Sequence, residues 1–104
     1  MDKLAALTQI LAANPNDTFA RYGLVMELAA QKKLKEALAE FDRCIQIDPD
    51  YVPAYQMAAQ KLAANGDTEL ALSHLHHGIA AANRTGNQHA LAEMSALRDD
   101  LTSH

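Results

Sequence analysis

IDPDYVPAY, residues 47–55, sets two prolines, Pro49 and Pro53, into a chain otherwise rich in alanine and leucine. Proline fixes φ, lacks an amide donor and pushes the residue before it out of the α region. The stretch therefore ends one helix at Asp48 and opens another. Pro53 is tolerated in a first turn, whose amides have no intrahelical acceptors, and Asp50 is placed to cap it. The same punctuation occurs earlier, in ANPNDTFARY at residues 13–22, where Asp17 or Thr18 takes the capping role. Pro15 and Pro49 lie 34 residues apart.

An offset of 34 aligns much more than the prolines. Leu4, Leu38 and Leu72 fall in one column, and Leu7, Phe41 and Leu75 in another. The next columns are Ile10/Cys44/Gly78 and Leu11/Ile45/Ile79. Within each copy these positions follow one face of a helix, which Ala37 and Ala71 extend. Two further segments align with each other: Leu24 with Ala58, Val25 with Ala59, Leu28 with Leu62. The unit is helix A, turn, helix B, turn. A fixed period of this size marks stacked supersecondary units.

The pattern resembles the tetratricopeptide repeat, W-x2-L-G-x2-Y, then A-x3-F, then P. The first unit matches at Leu24, Ala37, Phe41 and Pro49, with Arg21, Val25 and Leu28 in the places of Trp, Gly and Tyr. The second matches at Tyr55, Ala59, Leu62, Ala71 and Leu75, with Asn83 in place of Pro. The resemblance is to a small stand-alone member and spans residues 3–83. It implies an all-α solenoid of helix hairpins with terminal capping helices, stacked right-handedly.

Six helices are expected, at residues 2–13, 17–31, 34–47, 51–64, 68–82 and 87–102. They form one domain over 1–104. Residues 1–16 resemble a helix B of a partial repeat, 17–50 and 51–84 are the two repeats, and 85–104 form the C-terminal cap. Ala37, Leu38, Phe41, Leu62, Ala71, Leu75 and Ile79 are expected inside. ANGDTE at 64–69 supplies the second hairpin turn, with Asn65-Gly66 as a left-handed stop and Asp67 or Thr68 as cap. QKKLKE at 31–36 has no glycine, which leaves a single helix over 18–47 as an alternative. Such a helix would be long against a mean of about 11–12 residues, and the repeat alignment favours a hairpin.

Composition narrows the function classes. The 104 residues are 49% hydrophobic and 21% charged, as in an ordinary soluble domain. A net charge of −4 argues against non-specific nucleic-acid binding, which needs a basic face. The N-terminal MDKLAALTQILAANP is periodic rather than continuously apolar, so it does not read as a signal peptide, and no run approaches a membrane span. A single cysteine forms no internal disulfide. A cytoplasmic protein is expected.

Catalytic and metal-binding patterns are weak. His74, His76 and His77 in SHLHHG have no further ligand at helical spacing, so they read as surface histidines. Cys44 lies in a core stripe, between Phe41 and Ile45, and reads as a small hydrophobe rather than a nucleophile. No serine sits in a nucleophile elbow and no glycine-rich phosphate loop is present. The chain is expected to be neither an enzyme nor a cofactor protein.

One feature exceeds what a core requires. On the first helix A, Leu24, Val25 and Leu28 form an inner stripe, while Phe19, Tyr22 and Met26 occupy the opposite face. The second helix A carries Gln56, Met57 and Gln60 in the corresponding region. In the family that the chain resembles, A helices line a groove that grips partner peptides. Chaperone-binding members hold a C-terminal carboxylate there with Lys, Arg and Asn. Here those places hold Tyr22, Met26 and Met57, so that clamp is absent. The resemblance implies a protein-interaction module with a protein or peptide partner at these six residues, or a homodimer through the same apolar face.

Overall fold

A computed structural model describes residues 2–103. They form six α-helices and, among the described residues, no strand: α1 (Lys3–Ala13), α2 (Thr18–Ala30), α3 (Leu34–Ile47), α4 (Val52–Ala64), α5 (Thr68–Thr85) and α6 (Gln88–Thr102). The chain divides into two compact units, Met1–Pro49 and Asp50–His104. The boundary falls at the second proline of the repeat pattern.

In the first unit α2 packs on both α1 and α3. Asp2 caps α1 through Ala5 N at 2.7 Å, and Asp17 caps α2 through Ala20 N at 2.9 Å. Each satisfies one amide that the helix leaves without an acceptor. The α2–α3 core consists of Ala20, Val25, Leu28, Ala37, Phe41 and Cys44, all buried. Burying Phe41 alone contributes about 1.5–3 kcal/mol. At the edge of this core, Arg21 donates from Nη1 to Glu40 Oε1 at 2.7 Å and from Nη2 to the Pro15 carbonyl at 2.9 Å. Arg43 holds the second Glu40 oxygen at 2.7 Å. The Arg21 Nε is buried without a hydrogen-bond partner, so the guanidinium is bound at its tips only.

In the second unit α4, α5 and α6 all touch one another. Ala54, Tyr55, Ala58, Ala59 and Leu62 of α4 meet Ala71, Leu75, Gly78 and Ala82 of α5 and Ala90 and Met94 of α6. Gly78 lies where the three helices converge. A Cβ there would sit 2.7 Å from Met94 Sδ and 2.7 Å from Tyr55 Cβ, so only glycine permits this approach. Arg84 closes the unit by an ion pair to Asp50 at 2.8 Å.

The helix stops share one geometry. Lys33 N–H bonds the Leu28 carbonyl at 2.9 Å and Lys32 N–H bonds that of Ala29 at 3.0 Å. Thirty-four residues later, Asp67 N–H bonds the Leu62 carbonyl at 2.9 Å and Gly66 N–H that of Ala63 at 3.1 Å. Both are Schellman closures with a left-handed residue between them. That residue is Gly66 at φ 83° in the second unit and Lys32 at φ 61° in the first. The hairpin in the first unit therefore forms without glycine, and the continuous helix over 18–47 does not occur.

Three expectations are corrected. Leu38 and Ile79 are half-buried rather than inside, because the buried column runs through Ala37/Phe41/Cys44 and Ala71/Leu75/Gly78, one position round the helix. The N-cap of α4 is Tyr51, with no side-chain cap bond, and Asp50 pairs with Arg84 instead. Helix α5 continues to Thr85, because Asn83, Arg84 and Thr85 do not break it and the stop comes at Gly86, φ 72°.

Candidate partner-binding surface

Helix α2 must bury Ala20, Val25 and Leu28, and its 3.6-residue period then fixes what the other side presents. Phe19 is 76% exposed and Met26 47% exposed on that side. Tyr22 lies nearer the core and is half-buried. Burial raises its phenol pKa above the ordinary value, and the nearby Cys44 adds to the shift. Cys44 is wholly buried, and its thiol is pushed up by burial and by Asp48, with Arg21 opposing. The three aromatic and Met positions are thus unequal: Phe19 and Met26 are open, whereas Tyr22 also packs at the hairpin.

Beside the open pair runs a groove of about 530 Å3. Lys3, Ala6 and Leu7 of α1 form one wall, and Gly23, Met26, Glu27 and Ala30 of α2 form the other. The glycine lets α1 come close: a Cβ on Gly23 would lie 3.2 Å from Leu7 Cδ2. The lining is apolar, with Lys3 and Glu27 as its charged members. The sequence placed Met26 at an expected groove of A helices but gave no sign that α1 would supply the opposite wall. The available signal was the pair of small residues, Gly23 and Ala30, interleaved with Phe19 and Met26.

On α4, Gln56 and Met57 are half-buried and Gln60 is exposed. These three belong to the second unit, and Phe19, Tyr22 and Met26 to the first. On α5, His76 and His77 pack edge to face with centroids 5.3 Å apart, while His74 Nδ1 lies 2.8 Å from the Leu70 carbonyl. Among the described residues no group of three His, Cys, Asp or Glu could hold a metal ion. Nor is any helix there long and apolar enough to cross a membrane.

Comparison with known proteins places these features. The sequence pattern of the tetratricopeptide repeat matches residues 28–94. A tetratricopeptide repeat domain protein from Salinibacter ruber, solved in solution, is 29% identical; the match covers 86% of this chain and 90% of that one, with a TM-score of 0.77. The TPR2B domain of yeast Sti1, solved as a complex with pHsp70, is 23% identical over 95% of this chain and 79% of that one, with a TM-score of 0.85. A protein from Bordetella parapertussis is 24% identical, covering 97% and 88%, with a TM-score of 0.82. These last two show a shared fold. No curated protein matches the chain.

Proposed function

We propose that this chain, which belongs to the tetratricopeptide repeat family, is a non-enzymatic interaction module that buries the outer face of α2 against an apolar peptide or helix of a protein partner. The observation that carries this reading is Phe19, three-quarters exposed beside an apolar groove on a chain with few aromatics. An exposed aromatic costs solvation until a partner covers it, and aromatic and Met side chains are enriched where surfaces associate. Met26 continues that face, and Tyr22 flanks it with a polar tip. The second unit by itself carries Gln56, Met57 and Gln60 on α4, and the two amides can donate to and accept from a peptide backbone. The interaction is largely uncharged and therefore weakly sensitive to salt.

The test compares the wild-type chain with a Phe19→Ala/Met26→Ala variant in affinity capture from the native lysate. Both side chains are open, so helical content is unchanged. The loss of binding is about 1–2 kcal/mol or more per anchor. Capture indifferent to both substitutions overturns the reading. A homodimer through the same face is the second reading, favoured by the spacing of the apolar residues along α2.

A further inference from the structure

The two hairpin turns share a backbone geometry but not a chemistry. Asn65 and Gln31 hold the same C-cap place, at φ −86°, ψ −1° and φ −83°, ψ 7°. Each is followed by the left-handed residue, Gly66 in one turn and Lys32 in the other. When the backbone nitrogen after an asparagine attacks the side-chain amide carbon, a five-membered ring closes. Glutamine, one methylene longer, would need a six-membered ring, and a side chain on the following residue crowds the attacking nitrogen. Asn65-Gly66 meets neither obstacle. Nothing lies within 4 Å of where a Cβ on Gly66 would be, and both residues are exposed to water. The other asparagines precede Pro15, Asp17, Arg84 and Gln88. The proline nitrogen has no proton to lose, and the other three residues carry side chains.

The closed turn holds the reacting groups back. Gly66 N–H is bound to the Ala63 carbonyl at 3.1 Å, and Asn65 Nδ2 donates to Asp67 Oδ2 at 2.7 Å. Both bonds lie at an exposed helix end, where backbone opens locally at far lower cost than the core. Ring closure therefore waits on the opening of one turn and not on unfolding of the unit.

We propose that Asn65 is a self-modification site, a slow clock gated by the α4–α5 turn, and that its conversion to aspartate and isoaspartate unlocks that turn. Gly66 N loses its proton to solvent base and bonds to Asn65 Cγ; the Cγ–Nδ2 bond breaks and ammonia leaves. Water then opens the ring at one of two carbons. Addition at Cγ breaks the new bond to Gly66 N and leaves aspartate. Addition at the main-chain carbonyl carbon breaks the original peptide bond and leaves isoaspartate, with the chain routed through Cγ and one methylene longer. Water is the only co-reactant, and nothing is oxidised or reduced.

Either product disturbs the turn. The amide that donated to Asp67 becomes a carboxylate that repels it. A new negative charge also stands at the C-terminal end of α4, where the helix dipole disfavours it. The longer chain of the isoaspartate further displaces Asp67 N–H from the Leu62 carbonyl, to which it is bound at 2.9 Å. That closure joins α4 to α5, which meet closely at Tyr55 and Gly78. The first turn, with Gln31-Lys32 in the same geometry, is exempt from this chemistry and serves as an internal control.

The full chain is aged in mildly alkaline buffer, both native and unfolded in guanidinium. Mass spectrometry of its peptides follows amide-to-acid conversion at each asparagine, with fragmentation that separates isoaspartate from aspartate. In the native sample Asn65 converts at least about tenfold faster than any other asparagine, and isoaspartate is among its products. In guanidinium it converts faster still. Aged wild type unfolds at a lower denaturant midpoint than fresh protein, whereas an Asn65→Gln chain aged beside it keeps its midpoint. Asn65 reacting no faster than Asn83 or Asn87 overturns the site. Equal rates in the native and unfolded samples overturn the gating by the turn. A converted sample with the midpoint of fresh protein overturns the unlocking.

Discussion

Lys32 occupies a left-handed backbone position, φ 61°, that the second hairpin gives to Gly66 at φ 83°. For an L-residue with a Cβ this conformation costs about 1–2 kcal/mol relative to the right-handed helix. Glycine avoids that cost but loses about 0.5–1 kcal/mol more in ordering its backbone. The lysine charge also favours a helix C-terminus by about 0.3–1 kcal/mol when exposed. Lys32→Gly alone therefore mixes a backbone gain with a charge loss. The informative pair is Lys32→Gly against Lys32→Ala, since both remove the charge and only alanine keeps the Cβ. The glycine variant is expected to be more stable by about 1 kcal/mol. Position 66 offers an independent measurement, because nothing lies within 4 Å of where a Cβ on Gly66 would be. Gly66→Ala then carries the backbone cost alone, about 1 kcal/mol destabilising. Urea titration followed by circular dichroism reads both differences. With a slope of about 1–2 kcal/mol per molar, each shifts the midpoint by roughly 0.5–1 M. Lys32→Ala as stable as Lys32→Gly would refute the left-handed stop in the first hairpin, and with it the equivalence of the two turns.

Gly78→Ala should destabilise by about 1–3 kcal/mol, because Tyr55 Cβ cannot withdraw from a new methyl group. Gly23→Ala should be neutral or stabilising by up to about 1 kcal/mol, since Leu7 can turn aside and alanine favours helix; thermal melts of the two variants check the contrast. Arg21→Ala should cost about 2 kcal/mol by leaving the largely buried Glu40 with Arg43 alone, and a double-mutant cycle with Glu40→Gln should show strong coupling. Cys44 and Tyr22 both have raised pKa values, so both stay neutral in the fold at pH values where the unfolded chain has begun to ionise them. Their contribution is complete below the ordinary thiol value of 9.0 and declines as pH rises through the folded values. Denaturation midpoints should therefore fall above that pH, less steeply in Cys44→Ala.

How much of this was legible in the sequence follows from the range over which each cause acts. The prolines, the aspartate at residue 17 and the helical period act within a turn or two of the chain, so helix number and boundaries could be read to within a few residues. The period alone put Ala37, Phe41, Ala71 and Leu75 inside, but not the half-burial of Leu38 and Ile79, which depends on where the neighbouring helices stand. Lys32 was legible as lying in the first hairpin turn but not as its left-handed residue, because no local preference puts lysine in that region. The antiparallel packing of α2 on α3 imposes it. The same holds for Asp50, a fitting cap by sequence, which pairs with an arginine 34 residues away once α4 and α5 come together.

The sequence by itself determined an array of amphipathic helices at a period of 34 residues, because each helix needs one apolar face and each stop needs its breaker. It also showed that α2 is apolar on two sides. Only the tertiary structure decided how that second side divides. Packing against α3 draws Tyr22 toward Cys44, while Phe19 and Met26 are left to solvent. The close approach of α1 at Gly23 makes a groove where the sequence presented only a stripe. Which residues of an apolar face stay open depends on where the neighbouring helices stand, and that is set by contacts between residues far apart in the chain.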